Sequence, residues 1–333
     1  MRITTSMIMR NYRSNLNNTM VDQERARKQV ETGRRFSAAY EDPASAAKGA
    51  ILEQRYARNT DYLNTAKNAQ TWLDSQEDVL NQLNTISVKV REDYAPSALT
   101  DTSGEAGRKA YASTLRELQK SMIHALNTKY GDAYVMAGSD GKNPPFELKD
   151  DGTVLYRGVD VTKGDPKNAN RLKNLANDHT YIDLGFGMSF DANGVVSSSS
   201  AFDTALPGIA AVGYGEEDGI SNNIIALIGK MADTLEADTF NAGEFEKYWT
   251  RLSDKSDDLQ DQFTKIGAKG QLLTATTTKL ENEKENIEIQ YKDAMGVEAA
   301  KAITDYSYAQ YVYNAALKVG TSILSPSLLD FMK

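Results

Sequence analysis

With 333 residues, 25% of them charged and 40% hydrophobic, the chain can form two or three domains, or one elongated helical molecule with an inserted module. A net charge of −8 argues against a nucleic-acid partner. A mean hydropathy of −0.52, with no apolar run of about 18 residues, argues against a membrane span. Cysteine is absent, which excludes disulfides and thiolate metal sites.

The chain opens on Met1-Arg2-Ile3-Thr4-Thr5-Ser6, without the apolar core or small-residue cleavage site of a secretory signal. By composition it reads as cytoplasmic. If it works outside the cell, it leaves by a route that does not cleave its N-terminus. The first 35 residues are amphipathic through Ile3, Met7, Leu16, Met20 and Val30. A long helix is predicted next, from Asp42 to Ala95. Asp42 acts as its N-cap, and Pro43 stands at the first helical position, where a missing N–H costs nothing. Its stripe runs Tyr56, Leu63, Ala66 and Leu73, then Val79, Leu83, Ile86 and Val90 with a small phase shift, and Pro96 is expected to stop it. Pro96 to Ser103 reads as a polar loop. Thr102 and Glu105 form a capping box for a further helix, striped by Tyr111, Leu115, Leu118, Met122 and Ala125.

From about Gly138 to Gly219 the helical period is lost, and glycine and proline are concentrated. Thr153–Tyr156 and Tyr181–Leu184 are strand candidates, and Asp150-Asp151-Gly152 and Asn193-Gly194 are hairpin-type turns. Helix returns near Ser221, where Ile224-Ile225-Ala226-Leu227-Ile228 reads as a packing face.

The longest signal follows. Leu252, Leu259, Ile266, Leu273, Leu280, Ile287 and Ala294 stand seven residues apart without a break. This predicts a nearly straight helix on the order of 75 Å long with a narrow buried seam. After a loosening near Gly296, a last stripe runs Ile303, Tyr306, Gln310, Tyr313, Leu317, Gly320 and Leu324, and Pro326 ends it. Tyr308 and Tyr311 lie within the same helix, and the tyrosine cluster suits a contact between subunits.

The predicted fold is mainly α with a β-rich insert: an elongated rod of long antiparallel, coiled-coil-like helices, its N- and C-terminal helices paired and a small β domain at the distal end. The expected divisions are 1–41 and 296–333 for the terminal helical domain, 42–137 and 221–295 for the rod, and 138–220 for the insert. No catalytic, cofactor-binding or metal site is expected, and no cofactor. No nucleophile elbow, phosphate loop or dinucleotide fingerprint is present, and Gly213-Tyr214-Gly215 and Gly185-Phe186-Gly187 lack the strand-to-helix context of a phosphate cradle. His124 and His179 have no sequence-local partner in a metal or catalytic spacing. Asp254, Asp257, Asp258 and Asp261 read as a solvated helix face. The chain is therefore not read as an enzyme.

Several stretches resemble one family. Met1-Arg2-Ile3-Thr4-Thr5-Ser6-Met7, the turn Gly33-Arg34-Arg35-Phe36 and Asp42-Pro43-Ala44 are similar to the N-terminal region of bacterial flagellins and their relatives. So are Glu285-Asn286-Ile287, Asp293, the tyrosine-rich helix to Ala315-Ala316, and the ending Ser327-Leu328-Leu329-Asp330-Phe331-Met332. Within the family, that ending and the passage from Ala137-Gly138-Ser139 through Pro145-Phe146 to Tyr156-Arg157-Gly158 resemble the hook–filament junction branch more than the filament subunits. Gln82 and Asn84 stand where many flagellins carry the arginines that innate immune receptors read.

The resemblance implies an exported, extracellular structural subunit of the flagellum that joins the hook side to the first flagellin subunits. A filament-forming flagellin is the alternative reading, and an unrelated coiled-coil scaffold or adhesin the second. The implied partners are further copies of the chain in a helical or ring-like axial assembly, a hook-side adaptor and flagellin as neighbours, and an export chaperone on the C-terminal helix. Nucleic acid and membrane are not expected.

The expected assembly interface is Ile3, Met7, Leu16, Met20 and Val30 with Ile303, Tyr306, Tyr313, Leu317, Leu324, Leu328, Leu329 and Phe331. The expected rod seam is Leu252, Leu259, Ile266, Leu273, Leu280 and Ile287. The terminal stripes are thin. At about 25 cal/mol per Å² the few hundred Å² each could bury is worth several kcal/mol, less than ordering roughly 70 residues costs. Both ends are therefore expected to stay loose in the monomer and to fold together when neighbours cover them.

Overall fold

A computed structural model describes residues 5–324 except 101, 103, 193 and 198. Ile3, Leu328, Leu329, Phe331 and the stop expected at Pro326 lie outside the described residues. The chain is mainly helical, with short antiparallel strands gathered in its middle. It forms two compact units: one from the stretches up to Asp61 and from Glu281 onward, the other from Tyr62–Leu280.

The first unit holds α1 (Thr5–Thr32), the start of α2 (Pro43–Lys89), the end of α8 (Ala242–Met295) and α9 (Ala299–Leu324). The predicted N-cap is in place: the Asp42 carboxylate accepts the Ser45 N–H at 3.0 Å, ahead of Pro43. Between the α2 and α8 segments, Leu52, Ile287 and Ala294 are buried with Tyr56, Tyr291 and Met295 against them. Tyr291 donates to the Glu53 carboxylate at 2.7 Å and accepts from Arg34. The bond to Glu53, with burial adding to it, pushes the Tyr291 phenol up.

The second unit has one continuous core. Leu63, Ala66, Leu73, Leu80 and Leu83 of α2, with Val90 just beyond it, pack with Leu252, Leu259, Ile266, Leu273 and Leu280 of α8. The strand-rich stretch joins the same core through Phe146, Val154 and Tyr156. The two long helices run antiparallel here, and the buried hydroxyls of Ser87 and Ser256 bond each other at 2.6 Å. Helix α4 (Gly104–Leu126) lies along α7 (Ile224–Glu236), with buried Gln119 donating to the Ile225 carbonyl at 3.0 Å. A Cβ at Gly229 would meet that amide, so a larger residue there would have to displace the Gln119 side chain. Asn223 caps α7 by accepting from the N–H groups of Ile225 and Ala226.

Pro96 does not end the helix. Val90–Tyr94 form a π turn, and α3 (Ala95–Thr100) continues through the proline. The helix therefore runs on to Thr100, because the hydrogen bond that Pro96 cannot give is supplied from outside the helix. Glu105 pairs with Lys109 one turn further along α4.

In the middle stretch the strands are shorter than expected. β1 (Lys129–Tyr130) pairs with β2 (Ala133–Tyr134), and β3 (Phe146–Leu148), β4 (Val154–Tyr156) and β5 (Val159–Asp160) form a meander. The β3–β4 turn is the predicted Asp150-Asp151-Gly152, with Gly152 at φ +80°. Asn127, just beyond α4, donates to the Phe146 carbonyl and accepts its N–H, which fixes the meander to the helix end.

Helix α5 (Pro166–Ala176) was not predicted. Asp165 caps it, with proline at the first position, the same device as at Asp42-Pro43. β6 (Tyr181–Ile182) pairs with β7 (Phe202–Asp203), α6 spans Gly208–Val212, and β8 (Glu216–Glu217) pairs with β9 (Ile220–Ser221).

Asp203 anchors the β6–β7 pair to α8. Its carboxylate meets His179 Nδ1 at 3.0 Å and Lys269 Nζ at 3.2 Å, and it accepts the N–H groups of Thr180 and Ala205. Burial opposes the charge, but the bond to His179, the Lys269 charge and the Ala205 N–H outweigh it and hold the carboxyl below its usual range. A depressed folded pKa adds stability above the unfolded carboxylate value near 4, and that stability is lost as pH falls through the folded value. Asp203→Asn is expected to cost about 1.5–3 kcal/mol at neutral pH, and the cost should vanish in acid. Urea melts of both proteins across the acidic range check this, and a difference independent of pH would contradict it.

Candidate assembly surface

Helices α1 and α9 pack against each other and run antiparallel. A Cβ on Gly320 would strike the Tyr12 hydroxyl near one end, and Arg34 bridges Gly296 beyond the other. The inward face of α1 is Met9, Tyr12, Leu16, Thr19, Gln23 and Ala26, and that of α9 is Ala302, Tyr306, Ala309, Tyr313, Ala316 and Gly320. Both follow alternating steps of three and four residues. Small residues let the backbones approach, but Ala26, Ala302 and Gly320 are the buried ones among these twelve. The pair therefore has a shallow core.

A neck secures the pair at one end. Gly33 ends α1 at φ +66°, a conformation that favours glycine, and its N–H reaches the Gln29 carbonyl at 2.9 Å. Arg35 N–H then donates to the Met295 carbonyl at 2.8 Å, and Val297 N–H to the Gly33 carbonyl at 3.0 Å. Phe36 is buried, and the Arg35 side chain holds Asp42 and Ser45, both at 2.6 Å. The turn Gly33-Arg34-Arg35-Phe36 is thus a structural splice between the break after α1 and the break before α9. Hydrogen bonds from Ser45, with Arg35 alongside, keep the Asp42 carboxyl below its usual range.

The expected interface residues fall on different sides of this pair. Leu16, Tyr306 and Tyr313 are half-buried between the helices. Met7, Met20 and Val30 on α1, and Ile303 and Leu317 on α9, are exposed. Leu324 is the last residue of α9. Ile8 and Val21 on α1 and Val319 on α9, absent from the expected set, are exposed as well. Tyr308 and Tyr311 are 69% and 71% exposed and stand opposite the inward face of α9. Two large tyrosines are thus held outward on the helix. The inward face could have been found from its spacing, had small and polar residues been admitted to the stripe.

On α8, the seam positions Leu252, Leu259, Ile266, Leu273, Leu280 and Ile287 are all buried. His124 is exposed on α4, while His179 meets Asp203, which is far from it in sequence. Among the described residues no group of three or more His, Asp or Glu is placed to hold a metal ion, and no helix is long and apolar enough to cross a membrane.

Residues 3–140, which carry α1, the neck and α2 through α4, match the bacterial flagellin N-terminal helical region. The chain is 26% identical over 159 residues to flagellar hook-associated protein 3 of Salmonella typhimurium, covering 47% of this chain and 49% of the relative. It is 24% identical over 147 residues to the protein of that name from Escherichia coli K12, 44% of this chain and 46% of the relative. The aligned stretch thus spans about half the length of these curated relatives. A putative flagellar hook-associated protein from Vibrio parahaemolyticus has a similar fold, with a TM-score of 0.59 and 16% identity over 77% of this chain and 100% of the other.

Proposed function

We propose that this chain is a structural subunit of the bacterial flagellum that acts at the hook–filament junction, between a hook-side adaptor and the first flagellin subunits. The observation that carries this reading is the α1–α9 pair, whose inner core is shallow and whose outer faces hold exposed apolar and tyrosine side chains. A monomeric enzyme gains nothing from such a face. A subunit that must be soluble alone and then join a stack of copies needs one. The likeness to hook-associated proteins supports the junction over the filament.

In this reading residues 1–41 and 296–333 are the terminal helical domain that meets neighbouring copies, 42–137 and 221–295 the helical body, and 138–220 the module farthest from the axis. The protein works extracellularly, an export chaperone covers its C-terminal helix beforehand, and it performs no catalysis.

Position and copy number within purified flagella test the assignment. Immunogold labelling is expected at a single level between hook and filament, with few copies per flagellum. Labelling along the whole filament would replace the junction role with that of a filament subunit. Absence from flagella would remove both.

A further inference from the structure

Where α2 passes into α3, the backbone leaves the Arg91 carbonyl without a helical donor. The Ala95 N–H donates to the Val90 carbonyl, five residues back. In α register the Arg91 carbonyl would accept from Ala95, which is already committed. In π register it would accept from Pro96, which has no N–H. Neither register can satisfy it from the helix itself. The indole of Trp249 on α8 donates to this carbonyl at 3.0 Å. Arg91, Pro96 and Trp249 are all half-buried, so the group is not free to turn to bulk water.

The same turn resets the packing phase. Buried positions on this side run Leu83 and Ser87 of α2 and Val90 of the π turn in steps of four and three, then jump five to Ala95 before Ala98. An unbroken α-helix would bring Tyr94 to the core in place of Ala95. The extra residue lets the small Ala95 and Ala98 face the core where the segment turns toward α4. Neighbouring ties hold the place: Ser87 to Ser256 at 2.6 Å, and the Arg91 guanidinium 3.8 Å from exposed Asp257.

We infer that Pro96, the Arg91 carbonyl and the Trp249 indole form a side-chain-locked joint, in which Trp249 supplies the hydrogen bond that the proline cannot. Pro96 prevents the turn from relaxing to a regular helix, and Trp249 keeps the resulting gap closed. Together they fix the direction in which α3 leaves α2. Trp249 is a positioning residue of the second unit, and its role does not depend on where the protein acts.

The lock makes a prediction that packing alone does not. Trp249→Phe keeps a large apolar ring and removes the donor. Amide exchange over residues 92–100 is expected to rise about tenfold, the loss of one hydrogen bond to a half-buried carbonyl, while α8 around Leu259–Leu273 is unchanged. Adding Pro96→Ala restores a backbone N–H at position 96, so the double variant should recover the protection that Trp249→Phe lost. If Trp249→Phe has no effect, or loosens the parent and the Pro96→Ala variant equally, the lock is wrong and the indole acts by packing or not at all. Should Trp249→Phe fail to fold, Pro96→Ala alone decides. Its new N–H competes for the Arg91 carbonyl, so exchange of the Trp249 indole proton should quicken about tenfold, and an unchanged rate would overturn the joint.

Discussion

Leu273→Asp is expected to unfold the second unit, with a loss of about 3–5 kcal/mol, a large part of the roughly 5–15 kcal/mol that holds a typical domain. Leu273 is fully buried on α8, in the core that includes Ala66, Ala69 and Leu73 of α2. A carboxylate placed in that apolar core must shed water or protonate, and either comes at a cost. The neighbouring position supplies the control. Leu272 is 54% exposed on the same turn, so Leu272→Asp should stay within about 1 kcal/mol of the parent, helix propensity included. Thermal melts followed by circular dichroism compare the two. Superimposable curves for Leu273→Asp and the parent would mean that the heptad positions are not a core.

That contrast shows what was legible in the sequence. The heptad positions of α8 could be read because Leu252 to Ala294 repeat at the spacing at which a long helix turns the same face to its partner. Asp42-Pro43 could be read because cap chemistry is local. Pro96 misled for the opposite reason. A proline stops a helix unless its consequences are met elsewhere, and here they are met by the Trp249 indole, 158 positions from Arg91, whose carbonyl it caps. No local pattern encodes that bond. Helix α5 was within reach, because Asp165-Pro166 repeats the device recognised at Asp42-Pro43, but it lay in a stretch where glycine content drew attention to strands.

The terminal pair was legible only in part. Its existence followed from amphipathic ends, yet the inward face of α1 places Thr19 and Gln23 in the seam, and that of α9 relies on Ala302, Ala309, Ala316 and Gly320. A search for bulky apolar residues instead selects Met7, Met20, Ile303 and Leu317, which are exposed. The error is informative. Residues with the strongest apolar signal stay exposed, while residues of low apolar signal make the contact within the chain.

Replacing Tyr308 and Tyr311 together by aspartate is therefore expected to separate folding from assembly. Both side chains stand well clear of the inward face, at 69% and 71% exposure, so the melting transition of the monomer should move by no more than about 1 kcal/mol. Incorporation into flagella should fall by at least about tenfold, since leaving even one carboxylate unpaired in a desolvated contact costs more than the roughly 1.4 kcal/mol that a tenfold change requires. Amide exchange on the same monomer adds a second reading: with Ala26, Ala302 and Gly320 as the buried seam residues, α1 and α9 should exchange faster than the Leu259–Leu273 segment of α8. A double variant that enters flagella as well as the parent would remove the outer face of α9 from the assembly contact. Strong protection of α1 and α9 in the free monomer would show that the pair needs no neighbours to be complete.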